Sequence, residues 1–196
     1  MTPHKRQTPS HSGLEVEFSP GEYQSSLKSR KAFKSGEILT FLQGLTRSRK
    51  AYSTLQCGIG PDDHVELNSD FLYVNHSCDP NIAFDLSSSD TSKWHVRALR
   101  PIADGDRITC FYPSTEWEMD QPFQCECGTK LLHWSFVSVL LMTCSKSCLG
   151  VIRGARYLSR KQLSARGFIN SWILTLAEHR DKTKIDQPVA SQNKGL

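Results

Sequence analysis

Short runs of strand-forming residues, separated by turn-forming residues, dominate the chain as far as Tyr112. The runs are Leu14–Phe18, Ile38–Leu42, Tyr52–Gln56, His64–Leu67, Phe71–Val74, Trp94–Leu99 and Arg107–Tyr112. The segments between them contain "KSG", "GPDD", "SSSDTS" and "ADGD", which are rich in residues that favour turns. Many short strands with frequent turn signals predict a mainly β domain.

The C-terminal part of the chain has a helical pattern instead. Ile169, Trp172, Ile173 and Leu176 follow the spacing i, i+3, i+4 and i+7, which gives one apolar face. We therefore predict a helix within residues 159–180, followed by a polar tail over 181–196. Residues 1–12 are polar and predict a disordered leader.

Length and charge limit the functional class. The 196 residues suit one domain, and 24 basic against 20 acidic residues give a net charge of +4. This mild excess argues against a dedicated nucleic-acid binder. The longest apolar run, Leu131–Met142, is shorter than the roughly 20 residues that span a membrane. These features, with no apolar segment near the N-terminus, predict an intracellular protein of the nucleus or cytoplasm.

Seven cysteines are clustered in a way that favours metal binding over disulfides in such a protein. Judged by local spacing alone, Cys125, Cys127, Cys144 and Cys148 form two close pairs, as a tetrahedral zinc site would require.

The stretch "FLYVNHSCDPN", residues 71–81, places polar groups and a thiol directly after an apolar run. We interpret this as a buried strand that ends in a turn rich in hydrogen-bonding side chains. A functional site is one interpretation, and a capped turn with Cys78 as a small core residue is the other.

Three motifs in order resemble a known family. "NHSCDPN", "GDRITCFY" and the cysteine segment "CECG" with "SCLG" are similar to those of SET-domain proteins with a post-SET zinc segment, and especially to small fungal members. The resemblance covers about Leu14 to Leu176. It implies a fold of several small sheets with a knotted substructure, and transfer of a methyl group from S-adenosylmethionine to a protein lysine.

The resemblance also implies roles for particular residues. Asn75 and His76 match the positions that contact S-adenosylmethionine, and Tyr112 matches the catalytic tyrosine beside that cofactor. Tyr73 is a candidate for the lysine channel or an ordinary inward-facing aromatic residue. Trp117 is expected to cover Tyr112, as a cofactor wall or as packing.

For the metal, the resemblance selects Cys78, Cys125, Cys127 and Cys148 as zinc ligands. Removing residues 131–146 leaves "CECGTKSCLG", which restores the family pattern, so we interpret 131–146 as an insertion. Whether Cys144 replaces Cys78 as a ligand stays open at this stage. The expected divisions are a SET-like domain over 13–120 and a zinc segment over 121–158.

Two departures bear on activity. Gln24, Ser25 and Ser26 stand where many SET domains have Gly-x-Gly, and Leu72 stands where an arginine is usual. The alternative to an active enzyme is therefore an inactive SET-like binding or scaffold module. The expected partner is a protein substrate, histone or non-histone, bound by a monomer with no membrane or nucleic-acid ligand.

Overall fold

The structure, a computed structural model, describes residues 11–127 and 147–185. Its strands are β1 (Leu14–Glu17), β2 (Ser26–Ser29), β3 (Ile38–Phe41), β4 (Thr46–Ser48), β5 (Thr54–Gln56), β6 (His64–Glu66), β7 (Asn75–His76), β8 (Ile82–Asp85), β9 (His95–Ala98), β10 (Thr109–Cys110), β11 (Phe123–Gln124) and β12 (Val151–Ile152). Its helices are α1 (Arg160–Ser164) and α2 (Ser171–Ile185). Short 3-10 helices lie at Asp70–Tyr73, Thr91–Lys93, Tyr112–Ser114 and Ala155–Tyr157.

The strands form four small sheets in the described part of the chain. The largest has the order β3-β9-β8-β10-β7, and a three-stranded sheet has the order β4-β6-β5. Two-stranded sheets join β1 to β2 and β11 to β12. Strand β10 runs parallel to both β7 and β8, whereas the other pairings are antiparallel. The prediction of a mainly β fold of small sheets with a C-terminal helix is confirmed, while the knotted substructure stays a prediction.

The core collects apolar side chains from the sheets and from α2. Leu27, Ile82, Val96, Ile108 and Ile173 are completely buried. Alternation along the short strands sends one face of each sheet inward, and the α2 face predicted from the helical spacing covers that core. Burial of this apolar surface is the main force that holds the small sheets together.

The prediction of a strand over Phe71–Val74 was wrong, because this segment is a 3-10 helix at Asp70–Tyr73. A strand sends successive side chains to opposite faces, yet Phe71, Tyr73 and Val74 are all buried. The tight turn, closed by the bond from Val74 N to Phe71 O, lets all three side chains reach apolar surroundings. The strand instead follows at Asn75–His76.

The prediction of one helix within residues 159–180 also differs from the structure, in which a break separates α1 from α2. Ser159 and Gln162 form a capping box that begins α1. Gly167 then adopts a φ of 82°, a left-handed conformation that suits glycine and leaves the helical path. Helix α2 runs on to Ile185, five residues into the predicted polar tail.

Several predictions fall on residues that the structure does not describe. These are the first ten residues of the leader, the 131–146 insertion with Cys144, and residues 186–196 of the tail. His11 is described, and its ring packs on Phe71 with centroids 4.7 Å apart. Within 11–127 and 147–185, no helix is both long and apolar enough to cross a membrane.

Asn170 fastens the C-terminal segment to the sheets. The side chain is completely buried, and its Oδ1 accepts a hydrogen bond from Leu86 N at 3.0 Å. Its Nδ2 donates to Phe84 O and Ser114 O, both at 3.0 Å. One amide therefore joins the start of α2, the end of β8 and the turn that begins at Tyr112.

We expect Asn170→Ala to lower the free energy of unfolding by about 3 kcal/mol, because it leaves buried partners unsatisfied and opens a small cavity. Urea denaturation measures the loss. The matched control, Thr183→Ala on the exposed surface of α2, should change it by less than about 0.5 kcal/mol. Equal effects of the two substitutions would contradict this account of Asn170.

Candidate active site

Parallel pairing brings the two halves of the predicted site together. Asn75 and His76 in β7 pair in parallel with Thr109 and Cys110 in β10, so the C-terminal ends of both strands lie on the same side of the sheet. Tyr112 follows β10 directly, and its hydroxyl donates a hydrogen bond to Val74 O at 2.8 Å. The Tyr112 amide donates to His76 Nδ1 at 3.3 Å. The motif around Asn75 and the tyrosine downstream are thus direct neighbours.

The segment that lacks Gly-x-Gly lies against the same site. Asn75 Nδ2 donates to Ser25 O at 2.9 Å, which joins the start of β2 to β7. The chain reaches this position through left-handed conformations at Gly21, with φ of 102°, and at Tyr23, with φ of 59°. A tyrosine in this region is uncommon and carries backbone strain, which occurs often at functional sites.

Aromatic rings line the site. His76 lies 5.4 Å from Tyr112 and 5.6 Å from Phe123 between ring centroids. Phe123 lies 5.9 Å from Tyr112, so the three rings are in mutual contact. Sequence reasoning missed Phe123, although its place two residues before Cys125, at the start of the cysteine segment, was a usable signal.

Burial keeps the central groups neutral. Burial, and to a lesser extent the Arg166 guanidinium, lowers the pKa of His76 to about 3. Burial also raises the pKa of Tyr112, with Cys110 and Glu116 adding to the shift. At neutral pH the imidazole is therefore uncharged and the phenol keeps its proton.

Glu116 is a second group that sequence reasoning missed. It is 8% exposed, and its Oε1 accepts a hydrogen bond from Gln56 N at 3.1 Å. Burial raises the pKa of this carboxyl group to about 8, although the Gln56 hydrogen bond opposes the shift.

Four of the described cysteines gather beside the aromatic rings. The Sγ atoms of Cys78, Cys125, Cys127 and Cys148 all lie within 4.8 Å of one another, and those of Cys78 and Cys125 are 3.7 Å apart. A tetrahedral zinc ion with Zn–S bonds of about 2.3 Å separates its sulfurs by about 3.8 Å, so this arrangement fits a metal ion. Cys78, from the "NHSC" motif, thus joins three cysteines distant in sequence.

The surroundings hold the thiols in place. The amides of Cys78, Leu149 and Cys127 donate to sulfurs of the cluster at 3.3, 3.4 and 3.5 Å. Arg166 Nη1 donates to Cys78 O at 2.6 Å, so the loop after α1 braces this cysteine. His76 Nε2 lies 3.4 Å from Cys78 Sγ, which connects the cluster to the aromatic rings.

The Tyr73 and Trp117 rings each pack against another side chain. The buried Tyr73 ring packs edge-on against Phe18 at 5.4 Å. The Trp117 ring has the Arg180 guanidinium over it at 5.6 Å. Their roles in a lysine channel and a cofactor wall stay predictions.

Comparison with known proteins gives the family. A family model described as the SET domain matches residues 15–113. The chain is 34% identical over 177 residues to the methyltransferase flvH of Aspergillus flavus. The matched region covers 89% of this chain and 87% of the relative. The chain therefore belongs to the SET-domain family, and it is a methyltransferase of the SET type.

Two further relatives are longer proteins. Histone-lysine N-methyltransferase Suv4-20 of Caenorhabditis elegans is 39% identical over 82 residues, covering 42% of this chain and 23% of the relative. Histone-lysine N-methyltransferase set9 of Schizosaccharomyces pombe is 27% identical over 179 residues, covering 79% of this chain and 39% of the relative. These relatives favour an enzyme over an inactive module.

The buried carboxyl group of Glu116 predicts a pH-dependent stability. Its pKa rises from 4.5 to about 8 on folding, so between these values the folded chain keeps a proton that the unfolded chain has released. Stability from this group is thus lost as pH rises towards about 8. Relative to wild type, Glu116→Gln should become more stable between about pH 4 and about pH 9, as measured by urea denaturation.

Glu118 provides the control with the opposite sign. A hydrogen bond from Tyr157 lowers the pKa of this exposed carboxyl group, so its contribution appears as pH rises through the acidic range. Glu118→Gln should therefore not gain stability relative to wild type over the same interval. Parallel pH profiles for the wild type and Glu116→Gln would contradict the burial of a proton at Glu116.

Proposed function

We propose that this protein transfers a methyl group from S-adenosylmethionine to a lysine amine of a protein substrate, with Tyr112 as the catalytic residue and Asn75 and His76 in the cofactor site. The observation that carries the proposal is the hydrogen bond of 2.8 Å from the Tyr112 hydroxyl to Val74 O, beside Asn75. It brings a phenol and a backbone carbonyl to one point, next to a strand end that carries polar side chains.

The carbonyl oxygens and aromatic rings at this site suit S-adenosylmethionine, which supplies an electrophilic methyl group bound to a positively charged sulfur. The carbonyl oxygens of Ser25 and Val74 offer partial negative charge near the Asn75 side chain. The contacting rings of His76, Tyr112 and Phe123 offer aromatic surface for a cationic, partly apolar ligand.

The chemistry is an in-line displacement. The lysine nitrogen forms a bond to the methyl carbon while the carbon–sulfur bond breaks, and the nitrogen then loses a proton to solvent. This reaction needs a neutral amine and an aligned approach more than a strong base. The Tyr112 phenol, kept protonated by burial, would help to align the reacting groups without introducing a competing anion.

A histone lysine is the first substrate to test. Both of the longer relatives described above carry the name histone-lysine N-methyltransferase. Because the chain spans less than half of those relatives, the substrate belongs to the proposal. A histone substrate would also place the protein in the nucleus.

Zinc is the proposed occupant of the cluster formed by Cys78, Cys125, Cys127 and Cys148. Four thiolates at tetrahedral spacing are typical of structural zinc sites. Cys78 lies two residues after His76, and His76 contacts Tyr112. The ion would therefore stabilise the segment that carries the cofactor site rather than take part in methyl transfer.

We expect Tyr112→Phe to lower kcat for methylation of histones by about 100-fold or more, because the phenol hydroxyl is lost from the reacting centre. Transfer of a radiolabelled methyl group measures the rate, and isothermal titration measures the affinity for S-adenosylmethionine, which should stay within about threefold. Tyr157→Phe, at an exposed tyrosine, is the control. Full activity of Tyr112→Phe would contradict the assignment.

We expect Cys125→Ser to abolish binding of one zinc ion and to lower the thermal midpoint, because a structural metal site contributes directly to folding. Elemental analysis of purified protein measures the metal content. The control is Cys110→Ser, since Cys110 is buried outside the four-thiol cluster. Unchanged zinc content in Cys125→Ser would overturn the ligand set.

A further inference from the structure

We propose that Glu116 is a positioning residue for methyl transfer: its carboxyl group locks the turn that carries Tyr112 onto the edge strand β5 of the three-stranded sheet. The inference rests on the proposed function. It assigns a role to a buried acid that lies outside the contacts among Asn75, His76 and Tyr112.

Two hydrogen bonds form a reciprocal clamp between the turn and the sheet. Gln56 N, at the end of β5, donates to Glu116 Oε1 at 3.1 Å. In return, Trp117 N donates to Gln56 Oε1 at 2.9 Å. Gln56 Nε2 donates to Gly58 O at 2.8 Å, so the Gln56 side chain is fixed at both ends.

Backbone hydrogen bonds join the clamp directly to Tyr112. The amides of Thr115 and Glu116 both donate to Tyr112 O at 3.0 Å, which closes the turn around the tyrosine backbone. At the other end of this residue, the hydroxyl donates to Val74 O. A shift of Glu116 would therefore move the Tyr112 backbone, and with it the hydroxyl at the reacting centre.

A second anchor explains why the clamp controls position more than folding. Ala155 N donates to Glu116 O at 2.8 Å, and Arg156 N donates to Trp117 O at 2.8 Å. These backbone bonds attach the turn to the segment before α1 whatever side chain stands at position 116. Loss of the carboxyl group thus weakens only the attachment of the turn to β5, where the bond from Trp117 N to Gln56 Oε1 remains without its reciprocal partner.

The contact does not require the negative charge of a carboxylate. A buried carboxyl group resists ionisation, as the raised pKa of Glu116 reflects. What the clamp requires is an oxygen at the end of a side chain of this length, which glutamine also supplies. Aspartate is shorter by one methylene, so its carboxyl group falls short of Gln56 N.

The test compares Glu116→Ala, Glu116→Asp and Glu116→Gln with the exposed control Glu118→Ala. Methylation kinetics on histones give kcat and the KM for each substrate, and isothermal titration gives the affinity for S-adenosylmethionine. A misplacement of about 1 Å lowers rates by up to about 100-fold. We therefore expect Glu116→Ala and Glu116→Asp to lower kcat at least about tenfold, with KM and cofactor affinity within about twofold.

Glu116→Gln should retain at least about half of the wild-type kcat at pH 7, because its amide oxygen accepts the same hydrogen bond. A fall in kcat for Glu116→Gln as large as that for Glu116→Ala would overturn the inference. Equal kcat values for Glu116→Ala and Glu118→Ala would also overturn it. A rise in KM together with a fall in both cofactor affinity and kcat would indicate a folding defect and would also overturn the inference.

Hydrogen exchange separates this inference from the proposed function. In Glu116→Ala and Glu116→Asp, the Gln56 and Trp117 amides should exchange faster than in wild type, whereas Glu116→Gln should protect them. Inactive wild-type protein would overturn the proposed function, but exchange would still test the clamp. Unchanged exchange at both amides in Glu116→Asp would overturn the clamp even in an active enzyme.

Discussion

The parallel pairing of β7 with β10 is the constraint on which the candidate site depends. Each strand has only two residues, so neither buries enough surface to hold its place alone. Their position comes from β8 on the far side of β10 and from the core under Ile82 and Ile108. Because the two strands end on the same side of the sheet, His76 and Tyr112 are in contact although they are 36 positions apart in the sequence.

The metal cluster and the C-terminal segment support this edge from outside. Cys78 follows β7 closely, and Arg166 holds its carbonyl while the Arg166 guanidinium lies over the Phe111 ring at 5.6 Å. Asn170 holds the far end of the turn that begins at Tyr112. The segments on both sides of the site are therefore tied to residues that follow the cysteine cluster in the sequence, and the SET-domain match itself ends at residue 113.

The sequence predicted the centre of the site better than its supports. Asn75, His76 and Tyr112 lie in motifs. Spacing alone favoured Cys125, Cys127, Cys144 and Cys148, whereas the family resemblance implied Cys78 in place of Cys144. The structure brings Cys78 to Cys125, Cys127 and Cys148, which agrees with the set implied by the family resemblance. Cys144 lies outside the described residues, so its exclusion stays a prediction.

The missed features have a common physical cause. Phe71–Val74 carries residues typical of a strand, but tertiary burial of three side chains in succession favoured a 3-10 turn. Glu116 and Gln56 are 60 residues apart, so only the fold reveals their contact. Local patterns report local preference, whereas a clamp between two sheets depends on long-range packing.

The missing Gly-x-Gly illustrates how one constraint can be met by different residues. Backbone must come close to the cofactor site, and glycine is the usual means because it adopts positive φ without steric cost. Here the left-handed turn falls at Tyr23, and the bond from Asn75 to Ser25 O holds the following segment against β7. The Tyr23 ring contacts Tyr52 edge-on at 5.7 Å, and its hydroxyl donates to Gln121 Oε1 at 3.3 Å, so two other segments hold this residue. Left-handed conformations at Gly21 and Tyr23 thus hold this segment against β7 without a Gly-x-Gly sequence.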